Sequence, residues 1–240
     1  MASRSQKRMP PPAPPAERTA GQLVAESMRL YGRRFRSTLL IGVPPTLAGI
    51  AITVVADTGV SRVARLAFAV LVGVPAVSIS YVGASVLAVG RRPPRRTLVS
   101  AFVLGVLVLL PVPFLATILI LPALIWFALV GLAVPAAVAE ELEPTAALRR
   151  GVELGRADFV HALGSLAAIV IVAFVSAGVL QYLLVQFGDT AGSVAAFIAA
   201  LLLIPLVLLA AAQLYFDQVA RVGPVRKGLT APRGRGQPTK

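Results

Sequence analysis

Long apolar blocks alternate with short polar ones along this chain. The apolar runs are Leu39–Val55, Leu66–Gly90, Leu98–Val138, Ala162–Leu184 and Val194–Tyr215. A helix that crosses a bilayer needs about 20 residues. Four runs have the length of one span, and Leu98–Val138 has the length of two. Leu119–Leu121 with Pro122 is the natural reversal inside it. The pattern predicts six transmembrane helices, at Leu39–Val55, Leu66–Gly90, Leu98–Ile118, Leu121–Val138, Ala162–Leu184 and Val194–Tyr215. Pro44-Pro45 is expected to interrupt the first span. Pro111 and Pro113 are expected to kink or break the third, because a proline inside a helix removes a hydrogen bond and crowds the preceding turn.

Two polar stretches show helical periodicity. Thr19 to Gln22 fits a capping box, a hydroxyl at the cap and an amide three residues on. It opens an amphipathic helix over 20–36, with Val24, Met28, Tyr31 and Phe35 on one side and Gln22, Glu26, Arg29, Arg33 and Arg36 on the other. Such a helix lies in a membrane interface or packs on its own bundle. The second stretch, 134–164, is the one long charged segment between apolar blocks. Glu140, Glu141 and Glu143 mark an exit into water, and Glu143-Pro144 marks a helix start. Beyond it Leu148, Val152, Gly155 and Phe159 share one face, and Arg149, Glu153 and Arg156 share another, where they can pair. The expectation is an all-α, polytopic membrane bundle of six spans, with one amphipathic helix before the first span and another before the fifth. Residues 19–223 form the domain. Basic tails at 1–18 (proline-rich) and 224–240 are expected to be disordered.

Composition agrees with a bilayer as solvent. The chain of 240 residues is 57% hydrophobic and 14% charged, and its mean hydropathy is +0.84. Cysteine is absent, which excludes disulfides, thiol nucleophiles and cysteine metal sites. The net charge of +13 could suggest nucleic acid. The basic residues instead flank the spans. With the N-terminus in the cytoplasm, all 23 except Arg62 and Arg65 fall on the inner side, which is the positive-inside pattern. The expected location is a bacterial plasma membrane, with both termini cytoplasmic and the basic face toward anionic headgroups.

The run Pro135, Glu140, Pro144, Ala147, Leu148, Arg149, Arg150, Leu154 and Arg156 resembles the signature of a bacterial six-helix membrane family. That family includes the membrane domain attached to some glycerophosphoryl diester phosphodiesterases and YciC-like stand-alone proteins. Ala25–Tyr31 resembles its amphipathic first helix, and Tyr215, Phe216, Asp217 and Arg221 resemble its closing motif after the last span. The resemblance covers roughly 20–223. Gly151 and Val152 depart from it, standing where the pattern continues with Ser and Trp. No phosphodiesterase catalytic domain is found in these residues. The resemblance therefore implies an architecture, and a signature of unassigned role: Glu140, Pro144, Ala147, Leu148, Arg149, Arg150, Leu154, Arg156, Tyr215 and Asp217.

Chemistry is sparse. His161 is the one histidine, too few ligands for zinc without cysteine. Phosphate-cradling loops and a nucleophile elbow are absent. No catalytic, metal or cofactor residue is assigned. The polar residues of the spans, among them Ser78, Ser80, Tyr81, Ser85, Thr117, Trp126 and Gln181, are neutral. They serve either interhelical hydrogen bonds or a cavity for a neutral or lipid substrate. The favoured reading is a non-enzymatic scaffold or subunit of an envelope complex with a membrane-protein partner. The alternatives are a transporter or lipid-handling protein with a cavity near Pro44-Pro45, Ser80, Pro111–Pro113 and Gln181, and an enzyme in which Glu140 and His161 share one pocket.

Overall fold

A computed structural model describes residues 19–222, and the tails expected at 1–18 and 224–240 lie outside the described residues. Every regular element among the described residues is helical. In chain order these are α1 Ala20–Arg33, α2 Phe35–Asp57, α3 Arg62–Phe68, a π turn Ala69–Gly73, α4 Val74–Val89, α5 Arg95–Leu109, α6 Val112–Ile118, α7 Ile120–Val130, α8 Ala133–Glu140, α9 Pro144–Ala157, α10 Phe159–Val185 and α11 Asp189–Val222. Joined across their breaks, they give six helices long and apolar enough to cross a membrane, a multi-pass membrane protein.

The breaks have local causes. α5 gives way to α6 at Leu110-Pro111, as the prolines predict, and the indole Nε1 of Trp126 donates at 2.8 Å to the carbonyl of Val108 beside the break. The reversal falls at Leu119, whose backbone is extended. The π turn comes just before Pro75. Gly90 ends α4 in the left-handed region, φ 75°, where a side chain is disfavoured.

The first span departs from expectation, because α2 runs unbroken through Pro44-Pro45. Pro45 leaves the carbonyl of Ile41 without its helical donor, and the hydroxyl of Ser80 supplies one at 2.6 Å. The same device recurs next door. Pro135 removes the donor for Gly131 O, and Tyr81 Oη donates to that carbonyl at 3.0 Å. Val134 N reaches it only at 3.4 Å. Tyr81 is fully buried. In α11, Pro205 frees the carbonyl of Leu201. That carbonyl faces Gly42, where an added Cβ would lie 2.7 Å from Pro205 Cγ. Only glycine lets α2 and α11 approach so closely.

The outer surface is apolar. Leu40, Leu47 and Val54 of α2, and Val99, Val103 and Leu107 of α5, are exposed at helical spacing. Such continuous apolar faces require lipid or protein cover. The densest core lies at one end, where α8, α9, the C-terminal part of α11 and α1 meet. Most of the charges among the described residues lie at this charged end.

α1 starts on the expected box, Thr19 N donating to Gln22 Oε1 at 2.9 Å and Gln22 N to Thr19 Oγ1 at 3.4 Å. It packs on α10 and α11. Its buried line is Leu23 and Ser27, whereas Met28 and Phe35 are about half exposed. The contact face is thus rotated from the expected Val24–Met28–Tyr31–Phe35 face. Ser27 can face the bundle because its hydroxyl donates to Leu23 O at 2.8 Å.

Replacing Tyr81 by Phe leaves the buried Gly131 O with only the long 3.4 Å contact from Val134 N and is expected to lower stability by about 1–3 kcal/mol. Pro135→Ala restores an N–H in α8 and should recover most of that loss in the double variant. Thermal unfolding of the wild type, both single variants and the double in one detergent reads the coupling. Strict additivity would refute the assignment.

Candidate functional site

The charged end is built on α8. Residues 131–138 are buried without exception, because Ala133, Ala136 and Ala137 are small enough for α4, α5 and α9 to close around them. The helix ends at Glu141, which adopts φ 55°, the one described non-glycine residue with positive φ. That turn reverses the chain. Pro144 takes the first position of α9, after Glu143 as cap residue, as expected.

α9 then runs back along α8 and α7. At Gly151 an added Cβ would meet the backbone of Ala133 at 2.6 Å and its Cβ at 2.8 Å, and at Gly155 it would meet the carbonyls of Ala128 and Leu129 at 2.6 Å. The two glycines, four residues apart, form a groove that receives the α7–α8 junction. The buried face of α9 is therefore Ala147, Arg150, Gly151, Leu154 and Gly155. Leu148 and Val152 are only half-buried. The face expected through Leu148, Val152, Gly155 and Phe159 does pack on the core, as its partly buried edge, but the centre of the buried side is rotated toward Arg150, Gly151 and Leu154, where the glycines allow backbone contact.

Glu140 was expected to mark an exit into water. It is instead half-buried, and its Oε1 accepts from Tyr215 Oη at 2.6 Å and from Arg150 Nε at 3.3 Å. Arg150 is 8% exposed. Its Nη1 lies 3.8 Å from Glu153 Oε2. Three of the signature residues, from α8, α9 and α11, thus meet at one carboxylate oxygen. The other two acids of the turn are held from the α4–α5 connection, with Arg91 Nη1 2.7 Å from Glu141 Oε1 and Arg96 Nη2 3.7 Å from Glu143 Oε1. Arg91 Nη2 also donates to Ala139 O at 2.8 Å. These outer pairs are exposed and contribute about 0–1 kcal/mol each. The Glu140 junction is better shielded, and removing one partner there strands the other.

The remaining signature residues divide into two groups. Ala147 and Leu154 are fully buried and fill the core of the hairpin. Asp217 is buried on α11, as is Tyr215 of the junction. Arg149 and Arg156 are exposed on the outer face of α9, and Arg149 Nε pairs with Glu153 Oε1 at 3.3 Å, the expected spacing of four.

A second cluster lies where α9 passes into α10. Asp158 Oδ1 accepts from His161 N at 3.3 Å, its Oδ2 lies 3.1 Å from Arg221 Nη1, and its carbonyl accepts from Gln218 Nε2 at 3.3 Å. α11 is 34 residues long and so continues through Tyr215 to Val222. The closing motif is therefore helical and not a tail beyond the span, because these bonds and α1 hold it. His161 belongs to this cluster and Glu140 to the other, so the two are not brought into one pocket. Among the described residues no group of three or more His, Cys, Asp or Glu side chains could hold a metal ion. The carboxylates of the turn are taken by arginines, and what the arrangement does chemically is tie α8, α9 and α11 into one unit.

Sequence reasoning missed Arg91, Arg96, Asp158 and Gln218 as partners. Nothing local signals a pair separated by about fifty residues. The spacing of Gly151 and Gly155 is the one signal that could have found the packed face.

Arg150→Ala is expected to cost about 1–3 kcal/mol by leaving Glu140 underpaired at a buried junction. Arg149→Ala should stay within about 0.5 kcal/mol. Thermal melts of the two purified variants check the contrast, and equal effects would refute the assigned burial. No protein-family model, curated protein or solved structure matches this chain.

Proposed function

We propose that the chain is a non-enzymatic scaffold or subunit of a bacterial envelope complex, related to the six-helix family whose signature it resembles. It sits in the plasma membrane with both termini in the cytoplasm. The observation that carries this reading is the state of α9. Its inner face is locked by Gly151, Gly155 and Arg150, and its outer face presents Arg149, Glu153 and Arg156 on a fixed backbone. A helix held this firmly with its charges outward suits recognition of a membrane-protein partner. The convergence of Glu140, Arg150 and Tyr215 fixes α9 against α8 and α11 and so supports a rigid recognition surface. The orientation rests on the basic residues, of which only Arg62 and Arg65 lie on the opposite side. Basic residues of the inner side that face the membrane surface contact anionic headgroups rather than nucleic acid.

A second reading, handling of a neutral or lipid substrate, is favoured by one feature. A groove of about 580 Å³ runs between α10 and α11, apolar except for Gln181.

A fluorescent protein fused to the C-terminus should fluoresce, and a C-terminal reporter active only in the periplasm would overturn the orientation. Extraction into native lipid discs, followed by mass spectrometry, should yield a stoichiometric protein partner. Arg149→Ala with Arg156→Ala should abolish that association while the protein still inserts and melts normally. Unchanged association sinks the scaffold reading through α9, and a protein free of any partner whose enriched lipid is lost on Gln181→Leu moves the assignment to the second reading.

A further inference from the structure

The connection between α4 and α5 and the first turn of α5 together carry four arginines that divide into two pairs. Arg91 and Arg96 are taken by Glu141 and Glu143. Arg92 and Arg95 make no ion pair or hydrogen bond among the described residues. Both border a groove of about 720 Å³ between the start of α2, the C-terminal half of α4 and the first half of α5. This volume lies within the range of small-molecule sites, about 300–1,000 Å³.

Beside the arginines the wall is apolar, formed by Ile79, Val86, Val99 and Phe102 among others. Ile79 is 53% exposed and Val99 63%, so the groove lies on the outer surface, where the bundle meets lipid. Its mouth is strongly positive. The first turn of α5 holds Arg95 and Arg96 and no acid. Cations at that end of a helix meet a like-signed dipole, so a bound anion relieves the repulsion.

Two cations at the end of an apolar groove, level with the end of a membrane span, have one matching chemistry. A phosphodiester meets the guanidiniums, for which planar paired donors are well shaped, and a hydrocarbon chain covers the wall. We propose that this groove binds one anionic glycerophospholipid, its phosphate on Arg92 and Arg95 and one acyl chain along Ile79, Val86, Val99 and Phe102. A zwitterionic lipid carries no net negative charge for the mouth, and a soluble phosphate ester leaves the apolar wall bare. The site is separate from the Glu140 junction, and its arginines are those the junction does not use.

The test is native mass spectrometry of the delipidated full-length protein in detergent, titrated with phosphatidylglycerol, phosphatidylcholine and glycerol 3-phosphate. One phosphatidylglycerol should bind in preference to phosphatidylcholine. Arg92→Ala with Arg95→Ala should weaken it about 30-fold, at about fivefold per basic residue. Val99→Trp, which fills the groove from an exposed position, should weaken it too, with melting temperatures confirming that both variants fold. Arg149→Ala with Arg156→Ala removes the same charge elsewhere and should leave binding unchanged. Equal affinity for the two lipids, unchanged binding in either groove variant, or the same loss in the control pair overturns the site. Competition by glycerol 3-phosphate at the lipid's own concentration also overturns it, pointing to a soluble anion.

Discussion

A proline inside a membrane helix leaves one carbonyl without its N–H, and in hydrocarbon that carbonyl has no water to turn to. The architecture here depends on how those carbonyls are satisfied. Ser80 and Tyr81 are consecutive residues of α4. On a helix they point about 100° apart, so they reach two different neighbours. Ser80 serves Ile41 O in α2, freed by Pro45, and Tyr81 serves Gly131 O at the start of α8, freed by Pro135. One helix thereby fixes the register of two others through their weakest backbone points. A hydrogen bond between membrane helices averages about 0.6 kcal/mol, but the alternative here is a bare Ile41 O and a Gly131 O with only the long contact from Val134 N.

The consequence travels along α8. Because Tyr81 anchors the beginning of that short helix, its end at Glu140 is placed against Tyr215 and Arg150. The alanines of α8 make the anchoring useful, since they allow the backbone of α9 to lie against it at Gly151. Hydrogen bonding and close packing are therefore not independent contributions. A bulkier residue at 151 would lift α9 and draw Arg150 away from Glu140. Loss of the Tyr81 bond would loosen the helix on which both contacts rest. This coupling also accounts for glycine at 151, where a side chain of any size meets Ala133.

Much of this was legible in the sequence, and the limits have physical causes. Six spans, the break at Pro111, the reversal near Leu119, the Thr19 box and the start at Pro144 all follow from local signals: hydropathy over a helix length, proline's missing donor, and cap chemistry. The uninterrupted α2 was not legible, since its repair comes from Ser80, in another helix. The faces of α1 and α9 were misjudged for one reason. Periodicity was read by apolar bulk, and at both contacts small or hydroxylated residues, Ser27 and Gly151, face inward. In a bundle without a strong hydrophobic drive between helices, close backbone approach outranks bulk. Glu140 was misread because carboxylates near a span end usually meet water, and its two donors, Arg150 and Tyr215, lie 10 and 75 residues away in sequence.

The four arginines divide by where the chain places them. Arg91 lies in a bend just after α4, and Pro94, at φ −62° and ψ 154°, leads into α5. Arg91 reaches the α8–α9 hairpin and Arg92 borders the groove. At the helix start, Arg95 and Arg96 again diverge by about 100°, one to each side. The positive-inside rule explains why basic residues gather at this end, but it is indifferent to their individual directions. The acidic turn does set them: Glu141 and Glu143 draw Arg91 and Arg96 into a clamp, and Arg92 and Arg95 remain as a separate pair beside the groove.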